Sequence, residues 1–342
     1  MSWFRRKSKK KIISKAGTFD SYFDLRNARV KQPWKEETDS DLLEYYKSIT
    51  LVHECIDLLS TTVSEPQLLH YINGKPVDDE ITKLFLNPNP INSYSDFMKI
   101  YVQSYFMFGR IIVWVIKKGN KIVELWPIPN DWVENESGNY YQLNNGQIKE
   151  ILKEECIEQK FIMPGTLTAY YSPLHAAGHS VQITQKLEET LMYLLDNLDF
   201  PSIHLHLEDG LSPEQIEDLK ARLRDRRAGD PVITTGSGAK AENLNGLQSA
   251  DFSKLLEIFK YTQPNICGIF GIPSLLIESY AGLDPATYNN KKEARRTFYQ
   301  TTMVNLWKSI SDTLTFSLLD DESEIKFSLD EIEYLKAEEP QK

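Results

Sequence analysis

Residues 171–215 read YSPLHAAGHSVQITQKLEETLMYLLDNLDFPSIHLHLEDGLSPEQ. Ser172 can accept a hydrogen bond from a free amide at a helix start, and Pro173 brings a pre-set φ to the first helical position. From there Leu174, Ala177, Val181, Leu187, Leu191, Leu194, Leu195 and Leu198 keep a helical phase as far as Pro201. Such a helix reaches about 40 Å. Ser202–Leu207 then reads as a strand, and Ser212-Pro213 opens a charged helix that runs to Ala228 and stops at Gly229. A strand at Pro231–Thr235, a glycine-rich loop and a short strand near Ala241–Leu244 complete a β-α-β-β insert. The insert is too small to build a robust core alone. A second helix, Asp251–Ile269, follows and is broken at Gly271 and Pro273. A small insert between two helices is the pattern on which the fold reading rests.

Working outward, residues 278–289 form a loop containing Gly282 and Pro285. Asn289 or Asn290 is the expected cap of a helix reaching about Leu319, with Tyr299, Met303, Leu306, Ile310 and Leu314 as its apolar stripe. The tail 320–342 carries nine acids and three bases and reads as partly disordered. Toward the N-terminus, Leu42, Tyr46, Ile49, Val52, Ile56, Leu59 and Val63 predict one helix over Ser40–Val63, capped by Asp39 or Ser40. Asn73-Gly74 is a favoured two-residue hairpin turn. The prolines of Leu86-Asn87-Pro88-Asn89-Pro90 make that segment a loop. Ser95–Phe108 is a second amphipathic helix stopped by Gly109, and Ile111–Lys117 and Lys121–Trp126 are strands about a Gly119-Asn120 turn. Short strands fill 127–170, with turns at Ser137-Gly138 and Asn145-Gly146. Residues 1–40 are polar, basic and aperiodic, and read as a flexible arm.

The chain has 342 residues, 41% hydrophobic and 26% charged, which is globular and long enough for two or three ordinary domains. Acids outnumber bases 49 to 39, for a net charge of −10. Seven bases (Arg5, Arg6, Lys7, Lys9, Lys10, Lys11 and Lys15) crowd the first fifteen residues without an acid, so the rest stands at −17. A body this acidic does not grip nucleic-acid phosphates over a broad surface. Cys55, Cys156 and Cys267 are too dispersed for a metal or redox motif, and an odd count is no disulfide framework; a reducing setting is expected. The basic start lacks the apolar run of a secretory signal. The most apolar stretch, Ile100–Ile116, is interrupted by Gln103 and Arg110, so no membrane association is expected.

Chemistry is sparse. His175 and His179 share a helix face, and His204 and His206 share a strand face, so the four could serve a metal-dependent hydrolase. No glutamate stands between the first pair as zinc proteases require, and ordinary surface histidines are favoured. No Gly-x-Ser-x-Gly elbow occurs. Thr235-Gly236-Ser237-Gly238-Ala239-Lys240 lacks both the spacing and the following helix of a phosphate loop. Cys55 and Cys267 fall on apolar helix faces as core residues. No enzyme, metal or cofactor is expected. The insert helix has Glu214, Glu217 and Asp218 at its front and Lys220, Arg222, Arg224, Arg226 and Arg227 behind. That order complements the helix dipole, yet dipole complementarity does not need five bases, so a docking tip is weighed equally.

The segment order resembles the portal proteins of tailed double-stranded DNA bacteriophages. The resemblance rests on Tyr171-Ser172-Pro173-Leu174, Leu211-Ser212-Pro213-Glu214-Gln215, Phe270-Gly271-Ile272-Pro273-Ser274-Leu275-Leu276, and Ala286-Thr287-Tyr288-Asn289-Asn290 followed by Glu293, Ala294 and Phe298. Asn87-Pro88-Asn89 and Gly109 add support. Ser274 replaces a frequent second proline, Arg110 a frequent asparagine, and Asn305 a proline that bends the last helix in many members. The implied class is α+β, a ring oligomer whose subunit has an α/β wing, a two-helix stem, a small β-α-β-β clip and a long C-terminal wing helix, with the crown largely absent.

On this resemblance 1–40 is the arm, 41–171 the N-terminal wing, 172–199 and 249–271 the stem helices, and 200–248 the clip. Residues 278–290 are the tunnel loop, 291–319 the long wing helix, and 320–342 an acidic tail or crown remnant. The tunnel candidates are Tyr280, Asp284, Tyr288, Asn289, Asn290, Lys291, Lys292 and Arg295; the clip residues Glu214, Glu217, Lys220, Arg222, Arg224, Arg226 and Arg227 are the docking candidates. Implied partners are a ring of typically twelve copies, the terminase large subunit, a head–tail connector or adaptor, major capsid and scaffold proteins, and double-stranded DNA in transit. The implied location is the portal vertex of the virion, after assembly in the host cytoplasm. Lys291, Lys292, Arg295 and Arg296 at the start of a helix oppose the dipole rule, so a functional role near the tunnel is weighed equally with a merely charged first turn. The rivals are another head or connector protein, the hydrolase above, and a nucleic-acid module led by the basic arm.

Overall fold

The computed structural model describes residues 38–119, 121–130, 133–134, 140–144, 147–166, 169–196, 203–207, 214, 217, 239–243, 249–277, 288–319 and 323–336. It divides into two compact units, residues 1–181 with 263–342 and residues 182–262.

The first unit begins with α1 (Asp39–Ser48) and α2 (Thr50–Val63). The sequence predicts one helix here; Ile49, at φ −105° and ψ 105°, breaks it. Its amide bonds to the Tyr45 carbonyl, and its own carbonyl accepts from Val52 and His53, so it closes one helix and opens the next. The apolar phase survives because Ile49 is fully buried beside Leu42 and Val52. The true cap is Thr38, in a reciprocal box with Asp41.

Strands β1 (Leu68–Ile72) and β2 (Lys75–Val77) form the hairpin, with Asn73 at φ 51° and Gly74 at φ 74° as the type I′ turn requires. Helix α3 (Glu80–Leu86), capped by the Asp79 carboxylate on the amides of Ile81 and Thr82, precedes the proline-rich loop; sequence periodicity is too short to reveal it. Helix α4 (Tyr94–Phe108) starts from Ser93 and ends at Gly109, whose φ is 75°. Strands β3 (Arg110–Lys118), β4 (Lys121–Pro127) and β8 (Cys156–Lys160) make a sheet with β3 central, and β5 (Val133–Glu134), β6 (Tyr140–Asn144) and β7 (Gln147–Ile151) make another. The turns expected at 137–138 and 145–146 lie outside the described residues.

The final long helix is irregular. It begins at Tyr288, so Asn289 and Asn290 lie inside its first turn rather than capping it. Helix α7 (Tyr288–Thr297) passes through a π segment, Phe298–Met303, into α8 (Val304–Leu318). Asn305 donates its side-chain amide to the Thr301 carbonyl at 2.5 Å. The tail departs from the expected disorder across 323–336. Strand β11 (Ser323–Phe327) pairs antiparallel with β1, from Leu68 opposite Phe327 to Ile72 opposite Ser323. Ile325, Phe327 and Ile332 are buried, so alternation outweighs the acidic composition.

One core joins these elements: Ile56, Leu59, Phe97, Tyr101, Phe270, Phe298, Trp307 and Ile310 are all buried in it. Trp307 is polar at one point only, and its indole N–H bonds to the Val63 carbonyl at 3.2 Å.

The second unit contains the rest of α5 (Pro173–Asp196) from residue 182, the antiparallel ladder β9 (Ile203–Leu207) with β10 (Ala239–Asn243), and α6 (Ser249–Ile269) as far as residue 262. Strand β10 starts two residues earlier than the sequence pattern predicts. The insert helix expected at 212–228 and the strand expected at 231–235 lie outside the described residues, apart from Glu214 and Glu217. Thr184, Leu187, Phe259 and Thr262 are buried. Ile183, Met192, Leu256, Ile258 and Tyr261 are exposed, Tyr261 at 65%.

Candidate functional site

Two backbone junctions in the first unit hold the ends of the helices that leave it. At the first, Gly109 closes α4 and its carbonyl accepts from the Phe161 amide at 2.8 Å; the Phe161 carbonyl accepts from Tyr171 at 3.1 Å. Ser172 then works twice. Its hydroxyl donates to the Met107 carbonyl at 2.6 Å and accepts from the Leu174 amide at 3.1 Å. It therefore caps α5 and satisfies an orphan carbonyl at the end of α4 with one side chain. A β-carbon on Gly109 would overlap the Tyr171 carbonyl oxygen, which is why glycine stands there. Tyr105 stacks on Phe161 at 4.1 Å, and Arg110, 9% exposed, lies 4.8 Å over the Tyr170 ring. Asp39 belongs to this surrounding; burial raises its carboxyl above the usual range, while Arg110 and His175 pull it back.

At the second junction α6 stops. The amide of Ile272 bonds to the Cys267 carbonyl at 2.9 Å and that of Gly271 to the Gly268 carbonyl at 3.1 Å. This is the paired signature of a Schellman stop, with Gly271 left-handed at φ 67°. Pro273 follows and forbids continuation. Thr302, in the π segment, donates to the Gly271 carbonyl at 2.5 Å. The Phe270-Gly271-Ile272-Pro273 run and the last long helix thus meet although 31 positions separate the bonded pair.

The basic start of α7 leads from the tunnel-loop candidates. Tyr280 and Asp284 lie outside the described residues; Tyr288 and Asn289 occupy the first turn of α7, and their side chains are outside the description. Asn290, Lys291, Lys292 and Arg295 are exposed, and Arg296 is half-buried. Arg295 is tied down: its guanidinium lies 5.9 Å from the Tyr334 ring centre, and contact with Tyr334 raises its pKa further. Tyr334 packs on Tyr299, whose hydroxyl donates to Glu65 at 2.6 Å. Burial, then Glu65, pushes the Tyr299 phenol well up. No sequence signal points to this chain of contacts, because its members come from three separate segments.

Among the docking candidates Glu214 and Glu217 are exposed, and Lys220, Arg222, Arg224, Arg226 and Arg227 lie outside the described residues. His175 is half-buried and His179 exposed; on the β9–β10 ladder His204 stands opposite Glu242 and His206 opposite Lys240. Among the described residues, no group of three or more His, Cys, Asp or Glu side chains converges to hold a metal. No helix among them is long and apolar enough to cross a membrane.

The first unit packs helices and small antiparallel sheets around one core, and α5 and α6 connect it with the stretch 182–262. The chain belongs to the phage portal protein family, whose model matches residues 50–341. Its α+β fold is the portal fold, and its role is that of a portal protein of the virion; the family is a structural one. An uncharacterized protein of Rickettsia bellii (strain RML369-C) is 25% identical over 319 residues, covering 86% of this chain and 81% of that protein. One from Rickettsia felis (strain ATCC VR-1525 / URRWXCal2) is 26% identical over 298 residues, covering 80% and 75%. Among solved structures, a chain in the virion of a native gene transfer agent particle has a TM-score of 0.66 at 19% identity, over 93% of this chain and 91% of that one. An HK97-family phage portal protein from Corynebacterium diphtheriae has a TM-score of 0.57 at 15% identity, over 87% and 99%.

Proposed function

We propose that copies of this chain, typically twelve, close into a ring at one capsid vertex, and that double-stranded DNA is packaged and ejected through the central hole. In this reading residues 41–171 and 291–319 are the wing, 172–199 and 249–271 the stem, 200–248 the clip and 278–290 the tunnel loop. The terminase large subunit docks on the clip during packaging, and head–tail connector proteins bind there afterwards. Major capsid and scaffold proteins surround the ring as it assembles in the host cytoplasm. The chain performs no catalysis of its own; the motor supplies the chemistry.

The observation that carries this reading is the second unit itself. A chain leaves along α5, turns through the β9–β10 ladder and returns along α6. A two-stranded ladder between helices has little core of its own. Ile183, Met192, Leu256, Ile258 and Tyr261 stay exposed on the single subunit, apolar surface that neighbouring subunits would cover. The net charge of −10 suits a wall along which phosphates slide, because bound DNA needs many simultaneous Lys and Arg contacts.

Negative-stain imaging and native mass spectrometry test the reading. The full chain and particle-derived material should give rings with a central hole. Monomers and dimers alone from both sources would overturn it.

A further inference from the structure

We propose that Cys55 and Cys267 are a latent disulfide, a modification site at which a small peroxide oxidant joins α2 to the last turn of α6. The two Sγ atoms lie 3.9 Å apart, although 212 positions separate them in sequence. Both side chains are fully buried. A disulfide needs about 2.05 Å between sulfurs, so each must move by about 1 Å, within reach of a small χ1 adjustment. The backbone on each side is fixed. Cys55 sits mid-helix among Leu51, Ile56 and Leu59, and the Cys267 carbonyl anchors the Schellman stop. Cys156 is spoken for elsewhere, its thiol directed to the Leu152 carbonyl at 3.5 Å.

The chemistry balances with hydrogen peroxide as oxidant. One sulfur, as thiolate, attacks the O–O bond and becomes a sulfenic acid; the departing hydroxide takes a proton and leaves as water. The second sulfur displaces the sulfenic hydroxyl as a second water, and the S–S bond forms. Two electrons pass from the thiols to the peroxide. Hydrogen bonding to Cys267 and burial raise the Cys55 thiol pKa, which makes the first step slow. A cell's thiol pool therefore keeps the pair reduced, and prolonged exposure to oxidising surroundings locks it. That such exposure follows release of a particle rests on the portal reading; the cross-link itself does not.

Peptide mapping of the full-length, unsubstituted chain tests this. After prolonged hydrogen peroxide treatment, alkylation and non-reducing digestion, Cys55 and Cys267 should appear in one linked peptide pair. The chain should be lighter by two hydrogens, Cys156 should be alkylated, and dithiothreitol should reverse the link. The oxidised form should melt at a higher temperature than the reduced one. The Cys156→Ser variant should cross-link equally. Free Cys55 and Cys267 after oxidation, or bridges only through Cys156 or between chains, would overturn the proposal. Because the isolated chain is the sample, this result is independent of whether rings form.

Discussion

The α-carbon of Gly109 lies against the backbone of Tyr171–Ser172, so close that a β-carbon would overlap the Tyr171 carbonyl oxygen and stand 2.7 Å from the Ser172 nitrogen. The obstacle is backbone at both atoms, and a backbone held by hydrogen bonds on either side cannot swing away as a side-chain tip would. Gly74 has nearly the same φ, 74° against 75°, but nothing within 4 Å of an added β-carbon. Gly74→Ala should cost only the left-handed penalty, about 1–2 kcal/mol. Gly109→Ala should cost clearly more, or prevent folding. Urea unfolding midpoints of the two variants measure the difference.

At Gly271 the neighbour is a side chain, Thr302, with Oγ1 2.9 Å and Cγ2 3.2 Å from the added β-carbon. Thr302→Ala alone removes a hydrogen bond to the Gly271 carbonyl and should cost about 1 kcal/mol. The double variant Gly271→Ala/Thr302→Ala should be less destabilised than the two costs summed, by about 1 kcal/mol, since the clash vanishes with the threonine. Strict additivity in a double-mutant cycle would refute the contact.

Burial raises the phenol pKa of Tyr94, Tyr101 and Tyr299, and pushes Tyr105 up to about 12. A folded-state value above the unfolded value of about 10 favours the protonated form in the folded chain. The associated stability is complete below pH 10 and falls as pH rises beyond it, the Tyr105 contribution through about pH 12. Difference absorbance of phenolate should show these tyrosines silent at pH 10.5 in the folded chain and ionised after unfolding. Tyr299→Phe, which removes the bond to Glu65, should cost about 1.5–3 kcal/mol near pH 7, as expected for a hydrogen bond to a charged group.

Met192 is 58% exposed and Leu256 46% exposed, so a lysine at either site costs the single subunit little. Met192→Lys with Leu256→Lys should leave the thermal midpoint of the monomer nearly unchanged and abolish rings in native mass spectrometry. Unimpaired ring formation would remove these residues from any intersubunit seam.

In vivo, deletion of 278–290 should abolish packaging, and deletion of 1–15 should be better tolerated; plaque formation in a complementation assay ranks the two. Reversal of Arg222, Arg224, Arg226 and Arg227 to glutamate should leave rings intact and weaken co-sedimentation with the terminase large subunit.

Punctuation carried much of the fold. Pro173 opens a helix, Gly109 and the Gly271–Pro273 stop each end one, and every one marks a real boundary. Features without punctuation escaped notice. The break at Ile49 has neither proline nor glycine, and its side chain stays in the apolar phase. Strand β11 lies in a tail whose acidic composition masks the short alternation Glu324, Ile325, Lys326, Phe327. The contacts of the candidate site are long-range. Nothing near Gly109 announces Tyr171, and nothing near Arg295 announces Tyr334, since each pairing depends on elements far apart in the chain. Residue types alone therefore named the basic positions of α7 without showing that Arg295 is already engaged.

The register of β1 with β11 sets an order of events during synthesis. Leu68 pairs with Phe327, so the three-stranded sheet cannot close until the chain has been made through residue 327. A sheet closed by so distant a pairing forms late, because the entropy of closing the long intervening loop must be met before the contact repays it.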